Sequence, residues 1–282
     1  MLPLDHVTVA GADLRRMQAA LAALRMETVY GGAHRDGATE MALVSFPDGS
    51  YLELIAPRTD AAREVAENHH WARFLTGNAG PCAWAVSTGD LDSELRRLRS
   101  VGIPVSPPVA NGRLRPDGVR LEWKTAASDA APAGSFFPFL IQDLTPREWR
   151  AFPQGAPGNR DFRGIARVVL AVRDLATSLA RYRKAYGLAH AVELPDPVFQ
   201  AQLAVPSDAS IVLAQPLTGD SWLASRLAEF GEAPCAVLLD AGETPPAPGP
   251  TQSRWCDLDI RWFDSQALGW RLGAARRDPV TV

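Results

Sequence analysis

The sequence predicts an α+β fold of four tandem β-α-β-β-β units, and three pairs of recurring segments predict it. Residues 4–14, LDHVTVAGADL, and 165–175, IARVVLAVRDL, are apolar, β-branched runs that end in Asp-Leu, a helix-opening signal. Residues 80–86, GPCAWAV, and 233–239, APCAVLL, share Pro-Cys-Ala at the opening of a strand. Residues 51–57, YLELIAP, and 211–216, IVLAQP, are strands closed by Pro. With 282 residues the chain is long for one compact domain. It is comfortable for two of about 140.

The elements follow in order. A strand over 4–9 leads to a helix over 13–25, in which Leu14, Met17, Leu21 and Leu24 recur at helical spacing. Short strands near 27–30 and 40–46 and a strand over 51–55 complete the first unit, and a helix near 60–75 leads on. The second unit runs from Cys82 through a helix over 90–100 and strands near 103–109, 119–125 and 136–142. Residues 165–214 repeat the first unit, with Leu175, Leu179, Tyr182 and Ala185 as the apolar stripe of the helix. Residues 234–282 repeat the second unit in degenerate form: after Asp240 the Pro-rich GETPPAPGPTQS stands where a helix is expected. The stretch TPREWRAFPQGAPGNR reads as a linker, giving domains of 1–146 and 163–282 joined by 147–162.

Composition narrows the function classes. Hydrophobic residues make up 46% and charged residues 22%, which excludes a disordered chain. A net charge of −3 argues against general nucleic-acid binding, which needs a basic face to displace counterions. Three distant cysteines, Cys82, Cys235 and Cys256, form neither a disulfide framework nor a zinc-type spacing. The N-terminus lacks the pattern of a signal peptide, and no apolar run approaches the ~18 residues of a membrane span, so a cytoplasmic protein without a membrane partner is expected. Glycine-rich phosphate loops, HExxH and GxSxG are absent from the sequence.

A tandem module whose first strand carries a His and whose last carries a Glu resembles the vicinal oxygen chelate superfamily, which includes glyoxalase I, bleomycin-resistance proteins and extradiol dioxygenases. Within it, the chain is similar to the glyoxalase-like domain family. The likeness rests on LDHVTVA at 4–10, GGAHRDGATEMALVSFPDGSYLELIAP at 31–57, RLRPDGVRLEW at 113–123 and FFPFLIQDLTP at 136–146. It implies two glyoxalase-like domains whose sheets curl into cups, with metal ligands drawn from the first and last strands of a module.

His6 and Glu53 occupy those positions. Antiparallel neighbouring strands would place them side by side on the concave face, with Tyr51, Glu53 and Ile55 sharing that face by alternation. Imidazole and carboxylate together suit Zn, Fe, Ni or Mn. A structural His–Glu hydrogen bond without metal is the other reading. The second module offers Ala83 and Phe139 at the matching positions, and the third offers Arg167 with Val212 or Ala214. Two protein ligands hold a catalytic ion poorly, because three plus an open position is the norm. His34, in the Gly-rich turn GGAHRDGAT, is the best third ligand, and it could also be a general base, a substrate contact or an exposed loop histidine. Glu40 is a secondary candidate acid or base. Arg113 and Arg115 alternate in GRLRPDG, so both could offer bidentate bonds to a carboxylate or phosphate, unless they mark a solvated hairpin end. Trp123 and Trp84 read as cavity or core aromatics, and His69, His70 and His190 as surface residues. Cys82 and Cys235 read as small buried residues.

Two functions are compatible with these residues. One is a divalent-metal enzyme of lyase, isomerase or dioxygenase type acting on a small oxygenated, anionic substrate. The other is a non-catalytic small-molecule binding protein of the bleomycin-resistance kind. The C-terminal half lacks every ligand and reads as a packing or dimerisation partner, so a homodimer is among the expectations.

Overall fold

The computed structural model describes residues 1–34, 37–59, 71–76, 79–115, 117–128, 134–188, 190–242 and 251–277. The chain divides into two compact units, one of Leu2–Arg160 and one of Asp161–Val282 together with Met1. Each carries an eight-stranded, nearly closed cup of mixed strands, so the fold is α+β.

The first unit comprises β1 (Leu4–Ala10), α1 (Leu14–Ala23), β2 (Val29–Ala33), β3 (Thr39–Ser45), β4 (Tyr51–Pro57), β5 (Gly80–Ser87), α2 (Leu91–Ser100), β6 (Val109–Leu114), β7 (Arg120–Ala126), β8 (Phe139–Asp143) and the short α3 (Arg147–Ala151). Its sheet order is β2-β3-β4-β1-β5-β8-β7-β6, so the two modules meet along an antiparallel β1–β5 pair. Asp13 and Asp90 each start a helix by accepting a hydrogen bond from a backbone N–H three residues on. Leu14, Met17 and Leu21 bury one face of α1 against β3 and β4.

The first and last strands of a module, expected to be antiparallel, are parallel: β1 pairs with β4 in the register His6↔Tyr51 and Thr8↔Glu53. The crossover helix makes β2 start in the direction of β1, and the meander β2-β3-β4 reverses twice, so β4 ends parallel to β1. His6 therefore meets Glu53 on the diagonal, one pleat removed from direct opposition.

Other boundaries shift for local reasons. The strand expected near 103–109 forms instead at Val109–Leu114, because Pro104, Pro107 and Pro108 cannot donate to a ladder. The helix expected near 60–75 falls largely outside the described residues, and its end is a 3₁₀ turn at Ala72–Phe74. The stretch read as a linker folds onto the first unit. It carries α3, and Asn159 clasps the backbone of Glu27, accepting from its N–H at 2.7 Å and donating to its carbonyl at 2.9 Å.

The second unit repeats the order with β9 (Gly164–Ala171), α4 (Leu175–Tyr186), β10 (Ala191–Asp196), β11 (Ala201–Pro206), β12 (Ile211–Pro216), α5 (Trp222–Phe230), β13 (Pro234–Asp240), β14 (Thr251–Trp255), β15 (Leu258–Trp262), α6 (Ser265–Leu268) and β16 (Arg271–Arg277). The Pro-rich segment 243–250 lies outside the described residues. The interior of this cup is occupied by Phe199, Trp255 and Trp262, packed among Val169, Val212 and Leu203.

Candidate functional site

The concave face of the first unit encloses a cavity of about 740 Å³, with a polar pole and an apolar wall. The first module supplies the pole. His6 and Thr8 project from β1, and Tyr51 and Glu53 from the parallel β4 beside it. The His6 ring stacks on Tyr51 at 4.8 Å and meets the edge of Phe139 at 5.4 Å. Thr8 donates its hydroxyl to Glu53 Oε2 at 3.2 Å.

Two imidazoles flank Glu53. His6 Nε2 lies 3.7 Å from Oε2, and His34 Nε2 lies 3.5 Å from Oε1, at the outer reach of a hydrogen bond. His34 is carried by the turn after β2, whose backbone bonds to Thr39, and its Nδ1 sits 2.7 Å from the Thr39 hydroxyl. The second module supplies the wall. Ala83 and Ala85 lie opposite Thr8 and His6, and Phe139 and Ile141 continue the surface towards Trp123, Thr125 and Ala126.

A family model described as a glyoxalase-like domain matches residues 4–186, which is the whole first unit and the opening of the second. The chain belongs to the glyoxalase-like domain family. No curated protein matches its sequence. Among solved structures, a hypothetical protein from Staphylococcus aureus is similar over 98% of this chain and 100% of that one, with 13% identity and a TM-score of 0.64. A mutant of 4-hydroxymandelate synthase from Streptomyces coelicolor is similar over 99% and 94%, with 12% identity and a TM-score of 0.62. A xylose isomerase-like TIM barrel/4-hydroxyphenylpyruvate dioxygenase fusion protein is similar over 99% of this chain and 49% of its own length, with 13% identity and a TM-score of 0.58. At these identities the likeness is one of fold.

Beneath the pole of this glyoxalase-like cup lies a buried charge network. Asp5 Oδ1 is 2.6 Å from His6 Nδ1. Arg150, on α3, bonds both oxygens of Asp5 at 2.8 and 3.0 Å, both oxygens of Asp143 at 2.7 Å, and the Tyr51 hydroxyl. Arg147 reaches Asp5 from the same helix. Burial alone would raise the Asp5 carboxyl, but the charge of Arg150 and the bonds from His6 and Arg150 hold it far below the usual carboxylate range. An ionised Asp5 accepts only, so His6 Nδ1 carries a proton towards it, and Nε2 is the ring nitrogen that faces Glu53. Burial pushes Glu53 up as well, yet the hydrogen bond from His34 and the charges of His6, His34 and Arg113 bring it down to about 2. Burial and the nearby Asp5 and Glu53 push the Tyr51 hydroxyl well above its ordinary value, against the pull of Arg150 and Arg113.

The cavity thus brings together His6, His34, Glu53, Arg113 and Trp123 from the residues singled out in sequence. It does not include Glu40 or Arg115. Glu40 alternates with Thr39 and Met41 on β3, so it points to the other side of the sheet, where it accepts from the Tyr30 hydroxyl at 3.1 Å. Arg115 follows the end of β6, where strand alternation stops. Its guanidinium pairs with Asp117 and donates to the carbonyls of Trp149 and Pro153. Asp5 and Arg150 escaped the sequence reading, which placed Tyr51 on the face of Glu53 but gave it no role. The only signal for Asp5 was its place next to His6, and Arg150 lay in a stretch whose composition reads as linker.

The donor set fits a divalent ion in its chemistry. Two imidazoles and a carboxylate suit Fe, Mn, Ni or Zn, and the Asp5–His6 contact is the outer-shell support that metal-binding histidines carry. The separations of 3.7 and 3.5 Å stand just above the ~3.4 Å between two donors placed about 2.1 Å from a tetrahedral ion. As the side chains stand, no three His, Cys, Asp or Glu among the described residues converge into a closed metal cluster.

Proposed function

We propose that the first unit is a divalent-metal-dependent enzyme of lyase, isomerase or dioxygenase type, acting on a small oxygenated anion held in the cup. The observation that supports it most is the convergence of His6 and His34 on the two oxygens of one buried glutamate, inside a cavity. His6, Glu53 and His34 would hold the ion, which when bound supplies Lewis acidity to vicinal oxygens of the substrate. Asp5 keeps the proton on His6 Nδ1 and so leaves Nε2 as a donor atom. Arg113 anchors the negative group of the substrate. Phe139, Ile141 and Trp123 keep water from the reacting end. Where water and not His34 completes the shell of the ion, His34 is the group in the cup that can move a proton, since Glu40 faces the far side of the sheet.

The second reading, a binding protein without catalysis, is favoured by one observation: no closed three-ligand cluster exists among the described residues. Metal content separates the two. Protein purified without a His tag should carry close to one ion per chain, and His6→Ala and Glu53→Ala should each lose it. Less than about a tenth of an ion per chain, unchanged in both variants, would remove the metalloenzyme reading and leave the binding protein.

A further inference from the structure

Arg113 is 8% exposed and lines the cavity, yet its guanidinium is only partly satisfied. Nη1 donates to the carbonyl of Gly31 on β2, which ties the two edge strands of the cup together. Nε and Nη2 are buried with no hydrogen-bond partner. Burial lowers the guanidinium's pKa from its ordinary value, while Tyr51 and Glu53 favour its charge through space. A desolvated, half-bonded arginine is costly to maintain unless something else completes it. The unpartnered atoms are the adjacent Nε and Nη2, which form the side-on fork that matches the two oxygens of a carboxylate.

The rest of the cavity sets what the carboxylate is attached to. Where the first module has His6 and Glu53, the second has Ala83 and Phe139, so the second module brings no carboxylate or imidazole to the pole. Met41, Trp123, Ala126, Phe139 and Ile141 line the cavity with apolar side chains. A volume of about 740 Å³ is room for roughly 25 liquid waters, far more than a three-carbon acid fills, and lies in the range of sites for drug-sized ligands.

We propose that the cavity takes an amphipathic carboxylate: a carboxyl group on the Nε–Nη2 edge of Arg113, and an aryl or long alkyl body along the Trp123–Phe139–Ile141 wall. This deepens the substrate-site reading of the cup but does not depend on a metal ion. The same carboxylate would neutralise the charge of Arg113, which Glu53 now balances only through space.

The test titrates the chelator-treated full chain with 4-phenylbutyrate, indole-3-butyrate and decanoate, each paired with its amide, and with acetate as the bodiless acid. Tryptophan fluorescence reports binding. Each long acid should bind at least about tenfold more tightly than its amide and than acetate. Arg113→Met should abolish the acid-over-amide preference. Gly31→Ala provides a second route, because a Cβ there would stand 2.7 Å from Nη1 and 2.8 Å from Met41 Sδ. Both are ends of flexible side chains, so the chain should still fold while Arg113 is displaced and the preference falls. Trp123→Ala should weaken acids and amides alike. The proposal is overturned if acids and amides bind wild type equally, if acetate matches the long acids, if no long acid binds below millimolar Kd, or if the preference survives in both Arg113→Met and Gly31→Ala. Because metal is removed throughout, none of these outcomes bears on the metal-content measurement above.

Discussion

His6 Nδ1 lies 2.6 Å from the carboxylate of Asp5, the residue directly before it on β1. Consecutive strand residues point to opposite faces, so regular pleating would separate them. The β1–β5 register shifts between Leu4 and His6, and this bulge turns Asp5 towards its neighbour's ring. Asp5→Asn preserves size but removes the acceptor-only partner that fixes the proton on Nδ1. It also leaves Arg150 and Arg147 facing a neutral amide. Metal affinity should fall by about 10–100-fold, and stability by about 3–5 kcal/mol, since a buried ion pair loses one member. Isothermal titration with Zn²⁺ and urea denaturation measure the two separately. Unchanged metal affinity would show that His6 needs no help from Asp5.

Acid should destabilise the protein in a window set by Glu53. Its carboxyl titrates at an ordinary 4.5 in the unfolded chain and at about 2 in the folded one. The unfolded state therefore takes up the proton first as pH falls. The stabilisation is complete above about pH 4.5 and disappears between there and about pH 2. Asp5 is held down in the same direction and adds to the loss. Urea midpoints followed from neutral pH to about pH 2 should fall more steeply in wild type than in Glu53→Gln, which has nothing to titrate at that position. Parallel curves would mean that the charge of Glu53 contributes no stability.

A first unit cut after residue 146 should be much less stable than one cut after Arg160. The shorter piece lacks Arg150, which is 3% exposed and bonds Asp5 and Asp143, so both carboxylates lose their buried partner. It also lacks Asn159, which clasps Glu27 and Ser45. Stranded buried charge of this kind costs about 3–5 kcal/mol, enough to unfold a small unit outright. Circular dichroism melts of the two pieces decide it, and equal melting temperatures would assign α3 a passive role.

These cases mark what the sequence could disclose. The modules were legible because the first three repeat an apolar strand and an Asp-capped helix, and both signals act within a few residues. His6, His34, Glu53, Arg113 and Trp123 followed from that frame. The parallel β1–β4 pairing could have been deduced from the order of elements, and the outward face of Glu40 from its alternation with Met41. The Asp5–His6 contact could not, because it depends on a bulge that breaks the alternation. Nor could Arg150: its partners Asp5 and Tyr51 are 145 and 99 residues away in sequence, and local composition around it reads as linker.

The second unit keeps the fold but fills its cup with its own side chains, and this makes a separable prediction. Phe199 is fully buried, stacks on Trp262 at 5.1 Å, and meets Trp255 and Trp222 edge-on at 5.4 and 5.0 Å. Trp255 is pinned in turn, donating its ring N–H to Asp196 at 2.6 Å. Phe199 thus helps fill the second cup, where the first holds a cavity. Phe199→Ala should cost about 3–5 kcal/mol, because indoles fixed by hydrogen bonds cannot collapse into the gap. The carboxylate site of the first unit is lined only by residues between His6 and Arg150, so its affinity for 4-phenylbutyrate should be unchanged. The gap itself should take up an apolar probe such as benzene, restoring part of the lost stability in proportion to its concentration. A loss below about 1 kcal/mol, with no response to benzene, would show that the aromatic cluster repacks and that the second cup is not a filled version of the first.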